Sequence, residues 1–241
     1  MTVASNDPWE THAGWWQDGF TEGADPEYVE QILPLTLEWL AGYDSVLDIG
    51  TGEGQSARAL QAQGSNVVGL DPTRAQVVEA MHRAGGPTYG LAAAENLPVR
   101  TASFDAVLAC LVFEHIPDCV PAIAEVARVL RPGGRFVFFL NHPLLQCPGS
   151  GWIIDHILDE QYWRIGPYLV VDTVMEELSP GVRLPFVHRP VSGYINSMTD
   201  AGLQLRRMIE PAPPQGFIDK APEYQDAATI PRLLVLVAEK Q

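Results

Sequence analysis

From residue 45 the chain alternates between short apolar runs and longer amphipathic stretches. The runs lie at 45–49 (SVLDI), 66–70 (NVVGL), 104–110 (FDAVLAC) and 135–140 (RFVFFL), with helix-like segments at about 54–63, 73–84 and 118–130. Such alternation with short crossovers predicts a parallel sheet covered on both faces. Thr88–Leu91 is a shorter, glycine-flanked strand candidate. Upstream, Pro26–Ala41 presents a broad helical face with Tyr28, Ile32, Leu33 and Leu40, opened by Asp25 as N-cap and Pro26 in the first turn. Residues 1–25 are polar, punctuated by Trp9, Trp15, Trp16 and Phe20.

Beyond Leu140 the alternation stops. Residues 141–190 hold six prolines among scattered aromatics and no long helical period. A helix is expected at 191–201 and strands at 203–209 and 232–239, with a long loop over 211–226 between them. The last strand should run antiparallel and form a hairpin with its predecessor. The fold expected is a single doubly wound, Rossmann-like α/β domain. Its parts are an N-terminal cap (1–44), a cofactor-binding core (45–140), a lid and acceptor segment (141–190) and a C-terminal helix with a strand hairpin (191–241). An insertion as long as 141–190 reads as a functional lid.

Composition narrows the partners. The formal charge is −15, with lysine only at positions 220 and 240, so the surface repels phosphate backbones and anionic lipid. Nucleic acid and membrane partners are therefore not expected, and a homodimer is compatible with the sequence. Three cysteines without metal-type spacing read as reduced thiols. The first twenty residues lack a basic head and an apolar stretch, and a cytoplasmic location is expected.

The chemistry concentrates in VLDIGTGEG, residues 46–54. Gly50, Gly52 and Gly54 are spaced G-x-G-x-G, unlike the G-x-G-x-x-G that cradles a pyrophosphate in dinucleotide folds. Asp48 stands before the loop, where it would repel a pyrophosphate and suit an ammonium group. Asp71 closes the next strand, seventeen residues after Gly54, where a carboxylate can accept both hydroxyls of a ribose. Its other reading is an N-cap for the helix that follows. The pattern suits a ribose with a cationic, phosphate-free tail and disfavours a nucleotide-dependent oxidoreductase.

These residues resemble the class I S-adenosylmethionine-dependent methyltransferases, over about 45–140. VLDIGTGEG is similar to the glycine-rich first motif and GLDPT (69–73) to the second. LAAAENLP (91–98) resembles the third, with Ala93 replacing the usual aspartate. FDAVLACLVFEHIPD (104–118) resembles the fourth-strand motif of the branch that contains quinone-biosynthesis and natural-product methyltransferases, and LRPGGRFVF (130–138) leads into the fifth strand. The resemblance implies S-adenosylmethionine as cofactor. It implies glycines under the methionine portion, Asp48 acting there, Asp71 on the ribose and Pro72 against the adenine. The Ala94 backbone or Glu95 would serve the adenine edge, and Cys110 and Leu111 would lie beside the methionine tail.

The expected reaction is methyl transfer to a small molecule, with a hydroxyl oxygen of a sugar or hydroxylated aromatic favoured. Carbon methylation and a non-catalytic S-adenosylmethionine-binding protein are the alternatives. An alcohol acceptor benefits from a general base, most often histidine. His142, just past the fifth strand, and His188, at the end of the lid, are the candidates, against surface or packing roles. His115 reads as structural. In DHILDEQYW (155–163), Asp155 and Asp159, or His156 and Glu160, would lie one helical turn apart. A divalent metal could sit there, but a solvated acidic helix face is the favoured reading, and no metal is expected. Trp15, Trp16, Trp152, Tyr162, Trp163 and Tyr168 are candidates for the walls of an acceptor pocket.

Overall fold

The computed structural model describes residues 7–221 and 226–241. Its centre is a seven-stranded sheet of β1 (Ser45–Ile49), β2 (Asn66–Asp71), β3 (Thr88–Leu91), β4 (Phe104–Cys110), β5 (Leu130–Asn141), β10 (Leu203–Ile209) and β11 (Leu233–Lys240). The order is β10-β11-β5-β4-β1-β2-β3. β1 to β5 pair in parallel, and β11 runs antiparallel to both β5 and β10. The chain winds outward from β1 to β3, then returns to place β4 on the other side of β1. The carboxyl ends of β1 and β4 thus flank a topological switch point, where open α/β sheets leave a crevice.

Side-chain alternation explains the two layers. Val46, Ala106, Leu108, Val137 and Phe139 pack on one face with Tyr28, Ile32 and Leu60; α2 (Leu33–Leu40), α3 (Gln55–Ala62) and α4 (Arg74–Arg83) cover that side. Leu47, Ile49, Val107, Phe136 and Phe138 pack on the other face with residues of α5 (Cys119–Val129) and α6 (Val191–Asp200). Burial on both faces is what turned these strands into near-continuous apolar runs.

The expected strands and helices of the core lie within a few residues of their observed bounds. β5 begins earlier than expected, at Leu130, which pairs with Phe104 before the Pro132-Gly133-Gly134 turn. The expected helix over 26–41 contains a π-turn, Tyr28–Ile32, that leads into α2. Pro34 has no N–H to give to residue 30 and its ring crowds that carbonyl, so widening the preceding turn relieves both defects.

Two regions correct the sequence reading. Within the polar, aromatic-punctuated stretch ahead of residue 26, where no helix is expected, α1 (Pro8–Phe20) forms, with the Asp7 carboxylate accepting from Trp9 N at 3.0 Å. Residues 155–163 are not helical. β6 (Gly151–Asp155) and β7 (Glu160–Arg164) form an antiparallel hairpin in which Trp152 faces Trp163. The turn after β6 is held by Asp155, which accepts from Ile157 N and Leu158 N. The one-turn spacing of the acids and His156 therefore has no helix to act on, and no metal-holding cluster occurs among the described residues. A second hairpin, β8 (Asp172–Ser179) with β9 (Val182–His188), completes the insertion. The long loop expected over 211–226 contains a short helix, α7 (Gln215–Lys220), while 222–225 lie outside the described residues.

Candidate cofactor and acceptor site

A cleft of about 350 Å³ opens at the carboxyl ends of β1, β2 and β4. Its floor is the loop after β1. Gly50, Gly52 and Gly54 all have left-handed φ, at 67°, 56° and 85°. A Cβ on Gly50 would overlap the Val112 side chain from the loop after β4, and one on Gly54 would overlap the Tyr89 hydroxyl. A Cβ on Gly52 would meet only Trp16 Nε1, at 3.7 Å, so this position faces open cleft. The glycines bring bare backbone to the ligand side, and at two positions they also let neighbouring loops interlock.

Two buried carboxylates border the loop. Asp48 accepts from the Thr51 hydroxyl at 2.7 Å. Burial raises its carboxyl to about 7; the Thr51 bond opposes this, and the charges of Asp71 and Glu53 add to it. Asp71 accepts from Gly52 N at 2.9 Å and from Thr73 N at 2.8 Å. Burial raises it too, against the pull of those N–H groups. Asp71 thereby ties the glycine loop to the entry of α4. An ionised carboxylate has about four acceptor positions, so two N–H bonds leave capacity for ligand hydroxyls.

The loop is clamped from behind. Glu53, almost fully buried, accepts from Arg58 at 2.5 Å and from Arg83 at 3.0 Å. Arg83 also donates to the Thr21 hydroxyl at 2.8 Å, just past α1. Pro72, Ala93, Ala94, Glu95, Cys110 and Leu111 also line the cleft. Leu111 has φ 55°, unusual for a branched residue, and gives its N–H to Phe139 O at 3.0 Å. Strain of this kind persists where surrounding structure over-determines it.

Another part of the lining is aromatic. Trp9 and Trp16 from α1, Tyr28 from the π-turn, His115 from the Phe113–His115 turn and Pro185 from β9 form its walls. Nine of the ten cofactor-side residues expected from the sequence line this cleft: Asp48, Gly50, Gly52, Asp71, Pro72, Ala94, Glu95, Cys110 and Leu111; the tenth, Gly54, sits between the lining residues Glu53 and Gln55.

The two nominated histidines do not line it. His142 accepts from Leu144 N at 3.1 Å through Nδ1 and bonds Glu210 at 2.8 Å through Nε2, so both ring nitrogens are engaged. His188 gives Nε2–H to Tyr168 O at 2.8 Å, behind β9. Of the nominated aromatics only Trp16 reaches the cleft; Trp152 and Trp163 stack edge-on against each other in the first hairpin, 5.4 Å apart. His115, read as structural, is the imidazole in the wall. Its Nδ1 lies 2.8 Å from Pro185 O, and burial lowers it to about 4. Trp9, Tyr28 and Pro185 escaped the sequence reading because tertiary folding alone brings residues so far apart to one place.

With that geometry in place, the sequence of residues 47–138 matches the family described as a methyltransferase domain. Residues 47–138 thus form a methyltransferase domain, similar to those of S-adenosylmethionine-dependent methyltransferases. A crystal structure of an S-adenosylmethionine-dependent methyltransferase from Mesorhizobium loti superposes with TM-score 0.74 at 28% identity, covering 87% of this chain and 96% of that one. Among curated proteins, the O-methyltransferase resE of Aspergillus sclerotiorum is 33% identical over 52% of this chain and 50% of its own length. The ubiquinone biosynthesis O-methyltransferase of Paracidovorax citrulli is 36% identical over 46% of this chain and 51% of its own. The ubiquinone/menaquinone biosynthesis C-methyltransferase UbiE of Methylobacterium nodulans is 37% identical over 52% and 50%. The chain spans about half the length of the curated relatives it matches.

The methyltransferase domain fits the family's cofactor on its own chemistry. A Cβ at Gly52 would take up open cleft, and two buried carboxylates, Asp48 and Asp71, give the lining acceptors suited to an ammonium group and ribose hydroxyls. No helix among the described residues is long and apolar enough to cross a membrane.

Proposed function

We propose that this protein transfers the methyl group of S-adenosylmethionine to a hydroxyl oxygen of a small, planar, hydroxylated acceptor in the cytoplasm. The observation that carries the reading is one cleft lined both by the glycine loop and by Trp9, Trp16, Tyr28 and His115. A space of about 350 Å³ takes small molecules and excludes folded macromolecules. Aromatic walls favour a ring over a sugar among the hydroxylated candidates.

In this reading Gly50 to Gly54 pass under the amino-acid portion, Asp48 faces the ammonium side, Asp71 holds the ribose, and Pro72 with Ala94 and Glu95 border the adenine. When bound, S-adenosylmethionine supplies an electrophilic methyl on a sulfonium. The protein contributes mainly alignment, because an in-line displacement gains most from holding its reactants close and collinear. α1 roofs the cleft and keeps water from competing with the acceptor.

The test is incubation with S-adenosylmethionine and a panel of phenols and catechols, with product mass and the site of methylation determined by NMR. An added methyl on oxygen, with S-adenosylhomocysteine formed in equal amount, is expected. The name of the UbiE relative supports a second reading, carbon methylation, and a methyl on a ring carbon would decide for it. Tight cofactor binding without turnover of any acceptor would decide for a binding protein.

A further inference from the structure

We propose that His115 Nε2 takes the hydroxyl proton of the acceptor, a role that rests on the oxygen-transfer reading above. The Pro185 carbonyl has no proton to give, so Nδ1 carries the hydrogen in the 2.8 Å bond between them. Nε2 is left with an open lone pair, and it has no hydrogen-bond partner among the described residues while its ring lines the cleft. Trp9 and Phe186 close edge-on against the ring, at centroid distances of 4.7 and 4.5 Å, and fix its plane.

The turn that carries His115 is itself fastened. Arg189, buried at the end of the second hairpin, donates to the carbonyls of Phe113, Ile116 and Pro117 at 3.2, 2.5 and 2.6 Å. One hairpin thus supplies both the acceptor for Nδ1–H and the cation that pins the backbone on either side of the imidazole. Neither His142 nor His188 offers a nitrogen to the cleft.

The step balances. As the oxygen–carbon bond forms and the carbon–sulfur bond breaks, the bonding pair returns to sulfur and the hydroxyl proton passes to Nε2. The resulting imidazolium loses that proton to solvent when product leaves. Burial keeps the ring neutral at working pH, with its titration near 4. That weak basicity suffices, because a hydroxyl oxygen becoming an oxonium is a far stronger acid than any imidazolium.

The experiment compares the wild-type protein with His115→Ala and His115→Gln on substituted phenols whose own pKa values run from above to below the assay pH. Imidazole NMR on 15N-histidine-labelled protein reads the tautomer, and calorimetry reads S-adenosylhomocysteine affinity. Expected are an Nδ1–H tautomer, unchanged product affinity, and loss in kcat of roughly 10²- to 10⁴-fold on the least acidic phenol. The loss should shrink toward none on acceptors already ionised. Equal loss across the series, or an Nε2–H tautomer, would overturn the role while leaving the oxygen reading standing. A wild-type protein that methylates no phenol at oxygen would overturn that reading and the role with it. Gln preserves the bulk and the bond to Pro185, so the comparison survives if the Ala variant fails to fold.

Discussion

At the residue scale, the informative feature is a buried carboxyl with no counter-ion among the described residues. Asp48 titrates near 7 in the folded chain against an ordinary 3.8. Between those values the native state keeps a proton that the unfolded chain has lost. Stability therefore falls as pH rises through that window and levels off above it. Asp48→Asn removes this contribution. Its melting temperature should exceed the wild-type value at pH 8 and match it near pH 4, by about 2–4 °C for each kcal/mol recovered. Glu114, raised by burial to about 7 beside Asn141, keeps part of the slope in both proteins. Calorimetric melts at both pH values, with cofactor affinity measured alongside, check this: the variant should be the more stable apo protein and the poorer binder. The seat of Asp48 was legible in the sequence because it sits inside a contiguous motif. The environment of His115 was not, since Trp9, Pro185 and Arg189 come from segments 70 or more residues away.

At the scale of elements, core strands and insertions differ in how plainly the sequence announces them. Buried parallel strands are short apolar runs bounded by helices, and those were readable to within a few residues. The hairpins at 151–188 do not alternate cleanly between buried and exposed positions: β7 is almost wholly exposed, and β9 ends in three consecutive buried residues, so neither period stood out. α1 was hidden by its polar face and its aromatic spacing, although Asp7-Pro8 is a helix-start signal. The second hairpin matters most through Arg189. Replacing it with Ala leaves three carbonyls of the 113–117 segment without their donor, at a cost on the order of 3 kcal/mol. Thermal denaturation should show a drop of roughly 6–12 °C. Turnover should fall more than cofactor affinity, because the disturbed turn borders the acceptor end; Arg189→Lys should restore part of the stability.

At the scale of the whole molecule, the cleft has a floor and a roof of different origin. The floor lies within the contiguous segment 47–138; Trp9, Trp16, Thr21, Tyr28 and Pro185 reach over it from outside that segment. Hydrogen bonds hold α1 down, among them Gln17 to Gln76 at 3.0 Å, Glu10 to Ala75 N at 3.2 Å, and, just past the helix, Thr21 to Arg83. A chain starting at residue 21 should fold, since the two main cores are built from residues beyond it. It should bind S-adenosylhomocysteine at least tenfold more weakly by calorimetry and lose acceptor turnover.

Gly50 and Val112 interlock so closely that neither loop of the floor can accept a larger side chain without displacing the other. Change at that end must come in matched pairs, which is rare. The roof carries no such constraint. Descendants of this architecture can therefore acquire new acceptors by exchanging residues 7–28 and the Pro185 stretch of β9, while the floor loops are inherited intact. An engineer seeking a new substrate has the same short list of positions to vary.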